Sequence, residues 1–475
     1  MAERKDHISV RRVVATLACA GLLLAGAAPA LAHPAPPGQK DPERRLMARV
    51  RRAAERATAD RPAGADAPFT VNFQVVGHTD LGGDGFNADV WGHDGYAYVG
   101  IWGTPPGSGG CPASGVKVID LSDPAHPSVV SVLQNPTKTT AEDVVVRSVT
   151  TPSFTGDLAV VGIQDCKGWA FQGLQFFDVT DPETPVELGR WRAPDATTGC
   201  HEVDLVQRAS DGRVLAGCAN PFAEQTFHGP RGDEVVLVNA TQPGAPRKAG
   251  GWRFYGDRGR DPRSGGVGCF GASFNHSVRF ADAGETLFAS YWDAGTINLD
   301  VSQPADPTPV GLARIIPRDR DGDSHSMTPA LGGEVLIVNP EDFCPGGPPR
   351  GWGQAHVFSN DDPRHPTELS VFSTWRSRQK RFDGIYTIHN TEVVLEDQAF
   401  SSWYSDGIVW WDLSDPEHPL RIGQFRPPPA PDPYGVFPTA PVVWGVYPDP
   451  DSDLILASDI NSGLWVLRPE GMGGF

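Results

Sequence analysis

A single phrase recurs along this 475-residue chain: an apolar run, an acid or amide, then a turn containing proline. It reads GVKVIDLSDPAHP at residues 115–127, GLQFFDVTDPETP at 173–185 and EVVLVNATQPGAP at 234–246. It returns as TINLDVSQPADP at 296–307, AHVFSNDDPRHP at 355–366 and GIVWWDLSDPEHP at 407–419. The turn prolines are Pro124, Pro182, Pro243, Pro304, Pro363 and Pro416, spaced by 58, 61, 61, 59 and 53 residues. Proline presets its own φ and pushes the residue before it out of the helical region, so each phrase is a strand that stops at a turn. Length alone would allow about three ordinary domains. A steady period rich in β-branched and aromatic residues instead predicts one array of repeated sheet units.

The third period shows the unit. Residues 201–207 read as a strand, 209–212 as a turn and 213–218 as a second strand. A long loop leads to a third strand at 234–239, and the proline turn leads to a fourth at about 247–254. Four short antiparallel strands repeated around an axis make a β-propeller blade. Six periods carry the proline turn, and a seventh, beginning near Trp444, supplies three strands. VNFQVVGHTDL at residues 71–81 has the pattern of a fourth strand, as in RIGQF at 421–425. Pairing it beside residues 463–467 would complete the seventh blade and remove the open edge. The expected fold is therefore all-β: a seven-bladed propeller over residues 69–475, closed by an N-terminal strand.

The third strands VKVID, LQFFD, VVLVN, INLD and VWWD, with the DP-containing turns after them, resemble the LVIVD-repeat family of extracellular β-propellers. The resemblance covers residues 71–467 and implies the propeller fold. It implies no activity, because that family is mostly without an assigned biochemical function and one fold hosts many.

Before the repeats, Arg11 and Arg12 close a charged start, an apolar run fills residues 13–31, and Ala30-Leu31-Ala32 is a small-residue cleavage site. Residues 1–32 read as an export signal rather than a membrane anchor, which would lack that site. Residues 33–68 form a polar lead-in, where Asp41-Pro42 could start a short helix. Cleavage removes two acidic and four basic residues, leaving 56 and 36, a net charge of −20. Nucleic acid is excluded as a partner, since binding phosphates needs a basic footprint. The expectation is a secreted monomer, without a transmembrane segment after cleavage, that meets an extracellular ligand or protein. Cys19 leaves with the signal, and Cys111, Cys166, Cys200, Cys218, Cys269 and Cys344 remain. An even count in an exported chain favours three disulfides. Cys200 and Cys218 flank a hairpin and should lie side by side; Cys111 with Cys166 and Cys269 with Cys344 are the other expected pairs.

Loop lengths point to one working face. The turn between the first two strands is short, as is the proline turn, and the remaining connections are long. Antiparallel geometry puts all the long ones on one face, where binding residues concentrate. At that end of the first strands stand His201, His276, His325 and His389, with Glu142 and Trp444 in the same register. First strands line a propeller's channel, so four imidazoles and a carboxylate would meet at its mouth. Such a mixed nitrogen and oxygen set suits a transition metal such as Zn, Cu, Fe or Ni. The bland alternative is that each histidine caps its own strand. DRDGD at 319–323 has its glycine too early for a calcium loop, so calcium is not expected. Asp449, Asp451 and Asp453 read as a solvated turn. Trp410, Trp411 and Trp465 read as inter-blade core, whereas Trp352 and Trp403 are the candidates for an exposed stacking surface. GxSxG, P-loop and dinucleotide motifs are missing. Two functions stand: a secreted binding or scaffold propeller with a metal site in its channel, and a metal-dependent oxidase or hydrolase built on the same histidines.

Overall fold

The computed structural model describes residues 67–83, 85–102, 114–166, 170–194, 199–225, 232–254, 273–315, 324–343, 352–379, 384–432, 435–437 and 439–471. The export signal, nearly all of the lead-in, Cys111, Cys269, Cys344 and the DRDGD segment lie outside them. Among the described residues the regular elements are strands and short 3-10 turns. No helix is long and apolar enough to cross a membrane.

The strands pair antiparallel in chain order. Val203–Gln207, Val214–Ala219, Val235–Asn239 and Arg247–Trp252 form one four-stranded sheet. Asn275–Ala281, Thr286–Tyr291, Gly295–Asp300 and Thr308–Ala313 form the next. Ser324–Ala330, Val335–Pro340, Ala355–Ser359 and Thr367–Phe372 form another. Thr391–Val394, Gln398–Ser402, Ile408–Asp412 and Leu420–Arg426 follow the same order. An eight-stranded sheet consists of two such runs, residues 86–133 and 139–192, joined where Ile101 pairs with Ala141. Val443–Pro448, Ile455–Asp459 and Gly463–Pro469 take their fourth strand from Phe73–Thr79, with Val75 opposite Leu467. The segment just before it behaves differently: Phe69–Val71 pairs with Leu420–Arg426 of the preceding sheet.

Two repeated small-residue positions explain how the units are built. Glycine opens the third strand at Gly115, Gly173, Gly295, Gly407 and Gly463, each with positive φ. A Cβ there would lie 2.0–2.3 Å from a carbonyl oxygen of the fourth strand: Leu133, Trp191, Ala313, Phe425 and Thr79 respectively. Only glycine permits both the backbone angle and that approach. The second position follows a bulge in the fourth strand. At Gly77, Gly189, Gly250 and Gly311 a Cβ would stand 1.9–2.5 Å from the carbonyl oxygen of Pro124, Pro243, Pro304 and Pro363. Where serine replaces glycine it donates to the same carbonyl: Ser131 to Pro182 at 2.5 Å and Ser370 to Pro416 at 2.6 Å. The recurring proline turn thus does more than reverse the chain. Its carbonyl docks onto the fourth strand of a neighbouring sheet.

Apolar side chains fill the space between neighbouring sheets. Val160, Leu174 and Phe176 pack with Leu205, Val214 and Ala216, and Phe400, Ile408 and Trp410 pack with Val443, Ile455 and Leu467. Each such side chain contributes about 1.5–3 kcal/mol by leaving water. Trp352 and Trp403, expected at the surface, are buried instead. The Trp403 indole donates to the Tyr386 carbonyl at 2.8 Å, so the long connection folds over it. Asp449, expected in solvent, is also buried and accepts from Ser452 Oγ at 2.7 Å. A disulfide joins Cys200 to Cys218, and Cys166 is disulfide-bonded as well.

Candidate metal centre

The channel residues are held by irregularities in the first strands. Pairing skips between Asn275 and Ser277, Ser324 and Ser326, Ala141 and Val144, and Val443 and Gly445. The residues passed over are His276, His325, Glu142 with Asp143, and Trp444. A bulge leaves its extra residue outside the ladder and re-aims its side chain. His201 and His389 are placed otherwise, each two residues before its strand, although the sequence suggested that the strands start there. Their N–H groups still bond to the second strand, His201 to Ala219 O at 2.9 Å and His389 to Ser402 O at 3.0 Å. The disulfide ties Cys200, next to His201, to that same second strand.

These side chains form a continuous arc. Glu142 pairs with His201 Nδ1. His201 Nε2 lies 3.0 Å from His276 Nε2. Ring centroids are 4.0 Å apart between His276 and His325, 4.2 Å between His325 and His389, and 4.4 Å between His389 and Trp444. All six residues are buried. Every residue that the sequence placed in this register is therefore in the arc.

Two further carboxylates reach it that sequence reasoning missed. Glu202 Oε1 lies 3.4 Å from His276 Nδ1 and 3.7 Å from His325 Nε2. Glu341 stands 3.6 Å from His325 Nε2 and 4.0 Å from His389 Nε2, and accepts the Tyr404 hydroxyl. Gln164 Oε1 sits 3.1 Å from His201 Nδ1. A signal existed for the last two: Gln164 follows the Ile163 register position and Glu341 directly follows strand Val335–Pro340, so both end a second strand. Glu202 was hidden by its neighbour, since adjacent residues of a regular strand face opposite ways.

Burial sets the electrostatics. It drives the His276 and His325 imidazoles well below their usual pKa, helped by the other histidines, and His389 down to about 3. It pushes the carboxyls the other way: Glu341 up to about 8, Asp143 up to about 7, Glu202 and Asp89 well above the usual range. Neighbouring carboxylates add to the rise of Glu202 and Asp89. The protein buries neutral imidazoles among carboxyl groups, and among the described residues no arginine or lysine forms an ion pair with Glu202 or Glu341, although Arg279 acts on Glu202 at longer range.

The residues fit a metal ion. Glu202, His276 and His325 each offer a ligand atom within 4.8 Å of the others, and so do His325, Glu341 and His389. Each trio is two imidazoles and one carboxylate, a donor set typical of transition metals. The 3.0 Å between His201 Nε2 and His276 Nε2 matches two ligands about 90° apart on an ion roughly 2.1 Å away. Buried polar atoms here lack hydrogen-bond partners: both Glu142 oxygens beyond the His201 contact, Glu202 Oε1 and His276 Nδ1. Such atoms are costly unless something pairs with them. Below the histidines the channel continues as a cavity of about 70 Å³ lined by Asp89, Asp143, Glu202, Ser277, Ser326 and Asn390, among others.

No family profile matches this chain, and no curated protein sequence is similar to it. Solved structures do match. Raptor from Chaetomium thermophilum superposes with a TM-score of 0.51 at 12% identity, over 84% of this chain and 30% of that one. This chain thus spans under a third of Raptor's length. The β-propeller domain of Cps50 (Swd1) from Myceliophteria thermophila superposes with a TM-score of 0.50 at 12% identity, over 84% of this chain and 99% of that domain. At such low identity the likeness speaks for the fold alone: this chain has a β-propeller fold.

Proposed function

We propose that this chain is an exported, seven-bladed β-propeller of the LVIVD-repeat kind that binds one transition-metal ion in its channel. Seven blades follow from counting the eight-stranded sheet as two and giving the last blade Phe73–Thr79. Ring closure is supported by small-residue contacts: Gly463 faces Thr79 O, and Gly77 faces Pro124 O, as at the other blade junctions. Export is supported by the Cys200–Cys218 disulfide.

The observation that carries the metal reading is the arc of four buried histidines with carboxyl groups against it. His201, His276, His325 and His389 would supply nitrogen ligands. Glu142, Glu202 and Glu341 would either ligate or hold the far ring nitrogens, fixing tautomer and orientation. The ion would supply Lewis acidity or redox chemistry. The chain's own residues orient the imidazoles and bury them away from water. In this reading the protein is a binding module whose channel is organised by the ion. An enzyme is the second reading, favoured by carboxyl groups of raised pKa beside the imidazoles, because such groups cluster at catalytic sites.

Elemental analysis of untagged protein should find about one first-row transition metal per chain, with bonds near 2.0–2.1 Å to imidazole nitrogen by X-ray absorption. His276→Ala and His325→Ala should each lose most of it while keeping a native far-ultraviolet spectrum. Folded wild type that takes up no such metal, or variants that keep it, would overturn the reading. In cobalt-substituted protein, azide should shift the visible bands if a position is open to substrate; unchanged bands would leave the binding module alone standing.

A further inference from the structure

Three residues beyond the arc, the same first strands carry a second set of side chains: Asp204, Arg279, Thr328, Glu392 and Tyr447, with Trp91 beside them. They line a second cavity, of about 310 Å³, at the short-turn end of the channel. Its floor is polar and mutually satisfied. Arg279 pairs with Glu392 and donates to Thr328 Oγ1 at 2.7 Å. Asp204 accepts from the Phe280 N–H at 2.7 Å. The walls are apolar: Trp91 and Tyr447 lie with centroids 4.8 Å apart, and Phe280, Val393 and prolines complete them.

The rim differs from the floor. Arg147 sets its guanidinium 4.8 Å from the Trp91 ring centroid. Among the described residues no carboxylate pairs with it, in a chain whose formal charge is −18. Held on an indole face, a guanidinium keeps its planar fork of donors free for a carboxylate. Floor acids that already have partners leave little for a cation to bind. The volume suits a small molecule rather than a polymer.

We propose that this mouth is a binding site for a small organic carboxylate with an apolar, planar body. Arg147 takes the carboxylate through two parallel N–H···O bonds. The body lies against Trp91, Tyr447 and Phe280, and Thr328 with the Arg279–Glu392 pair closes the inner end. None of these residues belongs to the histidine arc.

Calorimetric titration of the full chain with phenylacetate, and with phenylacetamide as its neutral match, tests this. Phenylacetate should bind at least about tenfold more tightly, as a charge-assisted pair implies. Arg147→Gln should erase that preference, Arg147→Lys should keep part of it, and neither should change metal content. His276→Ala should bind phenylacetate like wild type, which separates this site from the histidine arc. No binding of phenylacetate up to about 10 mM, equal affinity for the two probes, or an undiminished preference in Arg147→Gln would overturn the proposal.

Discussion

Three residues along the first strands separate the histidine level of the channel from its short-turn mouth, and the two treat their polar groups in opposite ways. At the mouth, Arg279 answers Glu392, Thr328 answers Arg279, and a backbone N–H answers Asp204. At the histidine level, Glu202 and Glu341 contact imidazoles and a tyrosine hydroxyl, and among the described residues neither forms an ion pair with an arginine or lysine. The mouth is complete without a ligand on its floor. The histidine level has donors and acceptors that an added cation would complete. Ion-pair completeness, rather than the number of charges, distinguishes the floor of the mouth from the histidine level.

The comparison breaks most visibly at Arg279. Arg279→Met should destabilise the protein by about 3 kcal/mol, because it leaves Glu392 without a partner in a largely enclosed position. Urea unfolding measures this, and adding Glu392→Gln should recover part of the loss. A neutral Arg279→Met would show that the mouth does not depend on its ion pair.

The histidine level should respond to pH instead. With metal removed, Glu341 has a folded pKa of about 8 and Asp143 of about 7, both above their unfolded values. Between the unfolded and folded values the native state holds more protons than the unfolded one, so stability falls as pH rises. Each such group contributes a loss of about 1.4 kcal/mol per pH unit over that window. The buried histidines act in the reverse sense: the His389 pKa of about 3 makes stability fall as pH drops below the ordinary histidine range. Metal-free protein should therefore lose stability from pH 6.5 to 8, and Glu341→Gln should flatten that slope. A slope of the opposite sign would mean that these carboxyls are ionised and already balanced.

The smallest effect sharpens the same contrast. Thr328→Val removes one hydrogen bond to Arg279 and one to the Thr391 carbonyl, and should cost about 1 kcal/mol. Chemical denaturation measures it. The variant should leave metal content at the arc unchanged, and a loss of metal would mean that the two levels are coupled.

Much of this was written in local sequence. The proline turns marked each unit, and alternating apolar residues marked the strands, because both depend on neighbours in the chain. The shared register of His201, His276, His325 and His389 was legible for the same reason, since repeats place equivalent positions equivalently. Glu202 was not legible, and Glu341 was marked only by its place at the end of a second strand. His201 and Glu202 both reach the channel from the irregular segment just before strand Val203–Gln207, and the strand after which Glu341 stands belongs to a different sheet from His389. The burial of Trp403 likewise depends on a long connection folding back over it. Periodicity alone determined the repeated sheets and their order, through backbone preferences and the hydrophobic pattern. Which residues meet in the channel, and whether their charges are balanced, was decided only by tertiary structure, because those distances join residues far apart in the chain, such as Glu202 and His276.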